Sequence, residues 1–384
     1  MIIKNLAKAA DRIKKAIRNK ERIILYGDAD LDGVSSVIIL KETIKNLGGE
    51  VSAVYFPWRE TEGYGINKGA LDYLKKLAPA LFLTVDCGIS NFEEVVTAKK
   101  MGFDVVIIDH HEILDKLPKA SIIVDPKQKR DEYSFKGLAT SGIVFKLAQF
   151  ILEDKLTEPL KKNFLELTAL ATIADMMPEV DENRTMIEEG LSYLKDTWRP
   201  GLKVFFDIDG IQEAGNMRQE AQKIISVLNM VEPREHLNAT YLLLTADSVD
   251  QARFLAIELL EKRDKKQIEI KNINEEIEGR LSQKQPESVI FEGSYSWPIS
   301  LLGSVASRLA RKYKKPTFIF KMQGKESRGA VRAPSGVNSV ELMKKCSKYL
   351  LSFGGHAPAS GFTIKNENLE KFKDCLIENF TPTP

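Results

Sequence analysis

The sequence of 384 residues holds only four histidines and three cysteines. Cys87, Cys346 and Cys375 stand apart, so there is no Cys-x-x-Cys zinc pattern and no evident disulfide framework. No apolar run approaches the ~18 residues of a membrane span. The N-terminal "MIIKNLAKAADRIKKAIRNK" interrupts every apolar stretch with charge, which suits an amphipathic basic helix and not a signal peptide. Together these absences point to the cytoplasm and to no membrane partner. Net charge is missing too. With 56 Lys and Arg against 54 Asp and Glu, any nucleic-acid surface must come from a local patch. No Gly-x-Ser-x-Gly, Cys–His pairing or Walker lysine is visible, so the usual covalent nucleophiles and phosphate loop are excluded.

What is present is sharply patterned. Short apolar runs recur in the first part of the chain: "RIILY" (Arg22–Tyr26), "VSAVYF" (Val51–Phe56), "LFLTV" (Leu81–Val85), "VVII" (Val105–Ile108) and "SIIV" (Ser121–Val124). Helical patterns separate the first four. Continuous Val/Ile/Leu strands alternating with helices predict a parallel sheet covered on both faces, with ligands at the carboxyl ends of its strands.

Those ends are acidic. The first run leads into "GDADLDG" with Asp28, Asp30 and Asp32, and the third into Asp86. The fourth leads into Asp109-His110-His111 and the fifth into Asp125-Pro126. Carboxylates gathered on one rim repel each other unless a cation is present. Aspartate with some imidazole and no thiolate suits Mn²⁺ or Mg²⁺ better than structural zinc. Of the paired histidines, one can complete a metal's coordination while its neighbour meets substrate. A calcium loop is excluded, because Ile38 stands near the place of its bidentate glutamate. Farther along, Asp175 is the only charge between Leu167 and Met177 in an apolar helix ended by Pro178. A carboxylate buried there calls for a cationic partner, either a lysine or arginine or a metal. "GYGINKGA" (Gly63–Ala70) reads as a structural turn before a helix.

With "GDADLDG", "VDCG", "DHHE" and "TIADMMP" in this order, the chain resembles the DHH phosphoesterases, and among them the RecJ single-strand exonucleases. "LLSFGGHAPASGFTI" resembles the Gly-Gly-His signature of the DHH-associated second domain. The resemblance implies an α/β protein: a parallel-sheet DHH domain over 1–246, a long connecting helix over 247–283 and a smaller α/β DHH-associated domain over 284–384. The helix spans about 50 Å at 1.5 Å per residue, long enough to tie two domains across a cleft. Since the chain stops soon after Gly-Gly-His, a minimal catalytic core without an oligonucleotide-binding domain is expected.

Carried over position by position, the resemblance implies metal contacts from Asp30, Asp32, Asp86, His110 and Asp175. Asp28 is the additional aspartate of the RecJ branch, and Tyr26 stands where other branches place a metal-binding histidine. Two ions, Mn²⁺ or Mg²⁺, would serve an in-line displacement. His111 and Asp109 take the catalytic places, His111 contacting the scissile phosphate or assisting the leaving oxygen. Substrate binding falls to Arg332, to Gly354, Gly355 and His356, and to Arg308 and Arg328 of a basic run. Arg332 matches the arginine of a Ser-x-Arg-Ser phosphate motif whose serines are here Ala330 and Ala333. The implied activity is 5′→3′ hydrolysis of single-stranded DNA, with a replication or repair protein as a possible partner. The alternatives are a phosphodiesterase of short RNA or dinucleotides, and a non-catalytic replication scaffold. DNA is expected ahead of RNA.

Overall fold

The computed structural model describes every residue except 1, 114–115, 209–214, 284, 286 and 381–384, and it leaves the His356 side chain undescribed. The chain divides into two compact units, Met1–Arg263 and Asp264–Pro384.

In the first unit, β1 (Ile23–Gly27), β2 (Ala53–Tyr55), β3 (Ala80–Val85), β4 (Phe103–Ile108) and β5 (Ile122–Val124) form a parallel sheet in the order β2-β1-β3-β4-β5. The continuous apolar runs follow from burial on both faces. Leu25, Leu81, Leu83, Val106 and Ile108 enter one core, while Ile24, Tyr26, Phe82, Val105 and Ile107 enter the other. From β1 the chain leaves to one side for β2 and returns on the other as β3. The strand order reverses between β1 and β3, which places the sheet's ligand crevice at their carboxyl ends. Backbone bonds link the residues at those ends to neighbouring strands. The amide of Asp28 donates to Val85, that of Asp86 to Ile108 and that of Asp109 to Val124, at 3.0–3.2 Å. A two-residue-per-strand hairpin, β6 (Pro233–Arg234) and β7 (Leu237–Asn238), follows later in this unit.

The helix Val249–Leu281 runs through the division between the units. Its Ala252, Ala256 and Leu259 belong to the first core, and its Ile270, Ile273 and Ile277 to a core of the second unit. In that unit β8 (Ile290–Ser294), β9 (Thr317–Gln323), β10 (Glu326–Arg332), β11 (Leu350–His356) and β12 (Ala359–Lys365) form a mixed sheet, ordered β11-β12-β10-β9-β8. Phenylalanines 291, 318, 320, 362 and 372 fill one side of it.

One expectation is corrected here. Cys346 and Cys375 form a disulfide, although their spacing suggested none. The helices Ser339–Lys345 and Leu369–Asn379 pack together and bring the two residues to a Cα separation of 5.9 Å. Spacing along the chain carries no trace of that packing. Cys87 is free and buried. No described helix is long and apolar enough to cross a membrane.

Candidate metal centre

The rim is built by short-range chemistry at each strand end. Asp30 caps the helix Leu31–Asn46, its Oδ1 accepting from the amides of Asp32 (3.1 Å) and Gly33 (3.2 Å). A Cβ at Gly33 would lie 2.3 Å from the Asp28 carbonyl oxygen. The glycine of "DADLDG" therefore serves this tight return of the chain and no calcium loop. Asp32 caps a different helix. Thr140–Leu152 starts at Ala139, whose side chain cannot cap, and Asp32 instead accepts from the amides of Thr140 (2.7 Å) and Ser141 (2.9 Å). Asp86 sits at φ 62°, a conformation few non-glycine residues adopt, and accepts from the Thr140 hydroxyl at 2.9 Å.

Asp175 ends the helix Glu158–Ala174. Among the described residues no lysine or arginine pairs with it; the neighbour is His110, with Nε2 3.5 Å from Oδ2. The same Nε2 lies 3.4 Å from Asp86 Oδ1. The Leu138 carbonyl can only accept, so the 3.1 Å contact with His110 Nδ1 places the ring proton there. Burial holds the His110 pKa down to about 4. A neutral ring thus turns its unprotonated nitrogen toward two carboxyl groups, an arrangement that needs a proton or a cation between the three.

His111 is held differently. Its Nδ1 lies 2.8 Å from Asp109 Oδ1, and that carboxylate also accepts from the amides of Ile89, His110 and His111. Burial opposes charge on both partners, yet their mutual contact prevails, leaving Asp109 below and His111 above its ordinary pKa. The two adjacent histidines are therefore driven to opposite protonation.

The carboxylates show the imbalance most directly. Burial, then the charges of Asp32, Asp30, Asp109 and Asp175, push Asp86 well above its ordinary range. Burial, then Asp32 and Asp30, push Asp175 to about 8. Asp30 and Asp32 are raised as well, burial being the chief cause. Among the described residues, three groups bring donor atoms within 4.8 Å of one another: Asp86–His110–His111, Asp32–His110–Asp175 and Asp28–Asp30–Asp86. Oxygen and imidazole donors in this surplus fit divalent Mn²⁺ or Mg²⁺. Asp125 is absent from these groups; it is buried, raised to about 7 by burial, and accepts from the Lys127 amide.

Sequence reasoning missed Arg59 and Tyr64. The Arg59 guanidinium pairs with Asp28 and, through Nη2, with Asp30 at 2.8 Å. Tyr64 lies over that guanidinium, and its hydroxyl meets the Asp86 carbonyl at 3.0 Å and His111 Nδ1 at 3.2 Å. One signal was available: β2 alone among the strands of this sheet has no aspartate just beyond it, and "FPWR" supplies a cation instead. "GYGINKGA" is a turn fastened by Asn91 to Ile66, with Asn67 capping the next helix. Tyr26 is buried and donates to the Gly65 carbonyl at 2.8 Å.

In the second unit Arg332 ends β10, with Nη1 on the Val331 carbonyl at 2.9 Å. Its guanidinium lies against Gly303, where an added Cβ would come within 3.0 Å of Nη2. No carboxylate pairs with it among the described residues. Arg328 is on the same face of β10, and Arg308 is exposed on the helix Ile299–Tyr313. Gly354 and Gly355 lie on β11 opposite Gly361 and Ser360; the His356 side chain lies outside the described residues.

Acidic strand ends at the switch point of a parallel sheet, an Asp-His-His turn and a second α/β unit define a protein class. Residues 22–172 match the DHH family, N-terminal domain, and residues 287–381 match the DHHA1 domain. The chain belongs to the DHH family. It is 36% identical over 382 residues to the single-stranded-DNA-specific exonuclease RecJ of Bacillus subtilis (strain 168), covering 98% of this chain and 48% of that protein. The crystal structure of exonuclease RecJ bound to manganese is similar at TM-score 0.81 and 27% identity, covering 100% of this chain and 96% of that one. RecJ from Thermus thermophilus in complex with Mn²⁺ is similar at TM-score 0.85 and 26% identity, covering 100% and 56%. The chain spans about half the length of the B. subtilis relative.

Proposed function

We propose that this chain is a metal-dependent exonuclease that hydrolyses single-stranded DNA from its 5′ end. The observation that carries this reading is the surplus of carboxylates around a neutral His110, at the point of the sheet where ligands bind. The similarity to manganese-bound RecJ supports it.

Asp28, Asp30, Asp32, Asp86, His110 and Asp175 would hold the divalent ions. Bound there, such ions would supply Lewis acidity and an activated water at neutral pH. The protein's own groups do the rest. Asp109 fixes the ring of His111 and favours its protonated form, so His111 can meet the scissile phosphate or give a proton to the departing oxygen. Arg59 steadies Asp28 and Asp30. In the second unit Arg332 offers a guanidinium, with no carboxylate partner among the described residues, for a phosphate of the nucleic acid, and Arg308, Arg328 and the Gly-Gly-His strand offer further contacts.

The test is a product ladder. End-labelled DNA and RNA, from dinucleotides to long strands and blunt duplex, are incubated with Mn²⁺ and with a chelator. Mononucleotides released from the 5′ end of long single-stranded DNA, and only with metal, are expected. Hydrolysis confined to dinucleotides or short RNA would replace this reading with the phosphodiesterase one, and no hydrolysis would overturn both.

A further inference from the structure

His236 is the one histidine that neither the rim nor the Gly-Gly-His strand uses. It lies in the turn of the β6–β7 hairpin, after Glu235 at φ 58°. The amide of Phe56 donates to its carbonyl at 2.9 Å, which fastens the hairpin just beyond the edge strand β2. There its ring joins an aromatic series. Tyr26 on β1 stacks on Tyr55 of β2 with centroids 5.5 Å apart and planes within 5°. Tyr55 in turn meets Tyr73 at 5.8 Å and His236 at 6.0 Å, and those two rings lie 5.2 Å apart.

The inner rings are buried and serve the core. The outer ones are open: Tyr73 is 42% exposed and the His236 side chain 32%. Trp58, 39% exposed, follows on the segment that leads to Arg59. Lys76 stands over the Tyr73 ring at 4.4 Å. Nearby charge is of both signs: Asp72 pairs with Lys75, Lys76 is cationic, and Glu235 lies 4.0 Å from the His236 ring. Ring faces therefore distinguish this surface, not net charge. The series also starts on β1, two residues before Asp28, so it leads outward from the acidic rim.

Stacking on aromatic faces is how single-stranded nucleic acid is held without regard to sequence, because every base has a π-face. We propose that Tyr73 and His236 form a stacking platform for bases of the single strand whose scissile phosphate lies at the rim. This rests on the exonuclease reading above. The occupant is the unpaired strand itself, since a paired base keeps its faces inside the duplex.

The experiment compares wild type with Tyr73→Leu/His236→Leu and Tyr73→Phe/His236→Phe in Mn²⁺, on strands of increasing length and on bis(4-nitrophenyl) phosphate. The leucine pair is expected to raise KM for long strands roughly tenfold, leaving kcat and small-diester hydrolysis within about twofold. The phenylalanine pair keeps the ring faces and should keep the KM. A 2-aminopurine walked along the strand should be quenched at one position in wild type and lose that quenching in the leucine pair. Should the double variant unfold, Tyr73→Leu alone carries the same comparison. Unchanged KM and unchanged quenching in a folded leucine variant would overturn the platform and leave this surface to a protein partner. If wild type cleaves neither strands nor small diester, the exonuclease reading fails and the platform falls with it.

Discussion

Two clusters of buried charge in the first unit follow opposite rules. Arg199 is 3% exposed, yet its guanidinium pairs with Glu42 at 2.8 Å, with the Leu244 carbonyl at 2.7 Å and with Asn163. Beside it the Thr197 hydroxyl donates to Glu166 at 2.7 Å. Glu166 stands at about 7, raised by burial against the pull of its neighbours Thr197 and Arg199. At Asp86 and Asp175 on the rim, the largest neighbouring charges push the same way as burial. For Asp86 the charges of Asp32, Asp30, Asp109 and Asp175 add to the desolvation. Charge that its surroundings satisfy is architecture, and charge that they aggravate is held ready for something not supplied by the chain.

The largest test of this contrast exchanges one residue from each cluster. Asp86→Asn should lower hydrolysis by on the order of 10³-fold or more, because it removes a shared donor of two candidate ligand groups. The same change should raise the melting temperature of metal-free protein, since repulsion falls. Arg199→Ala should do the reverse. It strands Glu42 and the Leu244 carbonyl and should cost about 3–5 kcal/mol of stability, while Mn²⁺ affinity of the folded protein holds. Activity assays, calorimetric Mn²⁺ titration and thermal melts of both variants decide it. If both variants lost stability alike, the distinction between the clusters would be wrong.

The same logic extends to the metal. Mn²⁺ at about 100 times its Kd should stabilise wild type by about 2.7 kcal/mol and Asp86→Asn far less, while leaving the Arg199→Ala deficit in place. A chelator should reverse the gain. Equal stabilisation of wild type and Asp86→Asn would place the ion elsewhere.

Within the rim, the adjacent histidines should separate. His110→Ala should weaken Mn²⁺ binding, because its Nε2 belongs to two donor groups and its Nδ1 is tied to Leu138. His111→Ala should lower turnover, by about 10²–10⁴-fold if it acts as general acid, with Mn²⁺ affinity nearly kept. Indistinguishable losses of affinity in titrations of the two would contradict the division.

Much of this was legible because the sheet is parallel. Uninterrupted apolar runs separated by helices leave one arrangement in which Asp28–Asp32, Asp86 and Asp109 share an edge, and no long-range information is needed to see it. What stayed hidden depended on where separate segments meet. Arg59 reaches Asp28 only through the path taken after β2. Asp32 caps a helix 108 residues onward because Ala139 cannot. Asp175 invited a lysine or arginine and has an imidazole beside it instead. Arg199, in "DTWRPG", gives no local sign of its buried partners, and the Cys346–Cys375 pair depends on two helices whose packing no spacing encodes.

A pH dependence belongs to the compensated cluster. Glu166 has its folded pKa raised from 4.5 to about 7, chiefly by burial. Between those values the native state keeps a proton that the unfolded chain has released. Stability contributed by this group is therefore present at low pH and lost as pH rises through about 7. Two and a half units correspond to at most about 3.4 kcal/mol. Glu166→Gln keeps an acceptor for Thr197 and cannot ionise, so it should flatten the dependence between pH 5 and 8. Rim carboxylates raised by burial share this sign, so denaturant unfolding should be followed in saturating Mn²⁺, where they are held by the ion. Under that condition the difference between wild type and Glu166→Gln isolates the one carboxylate. A wild-type stability that rose with pH over this range, relative to Glu166→Gln, would show that Arg199 and Thr197 compensate Glu166 fully and that burial does not dominate its titration.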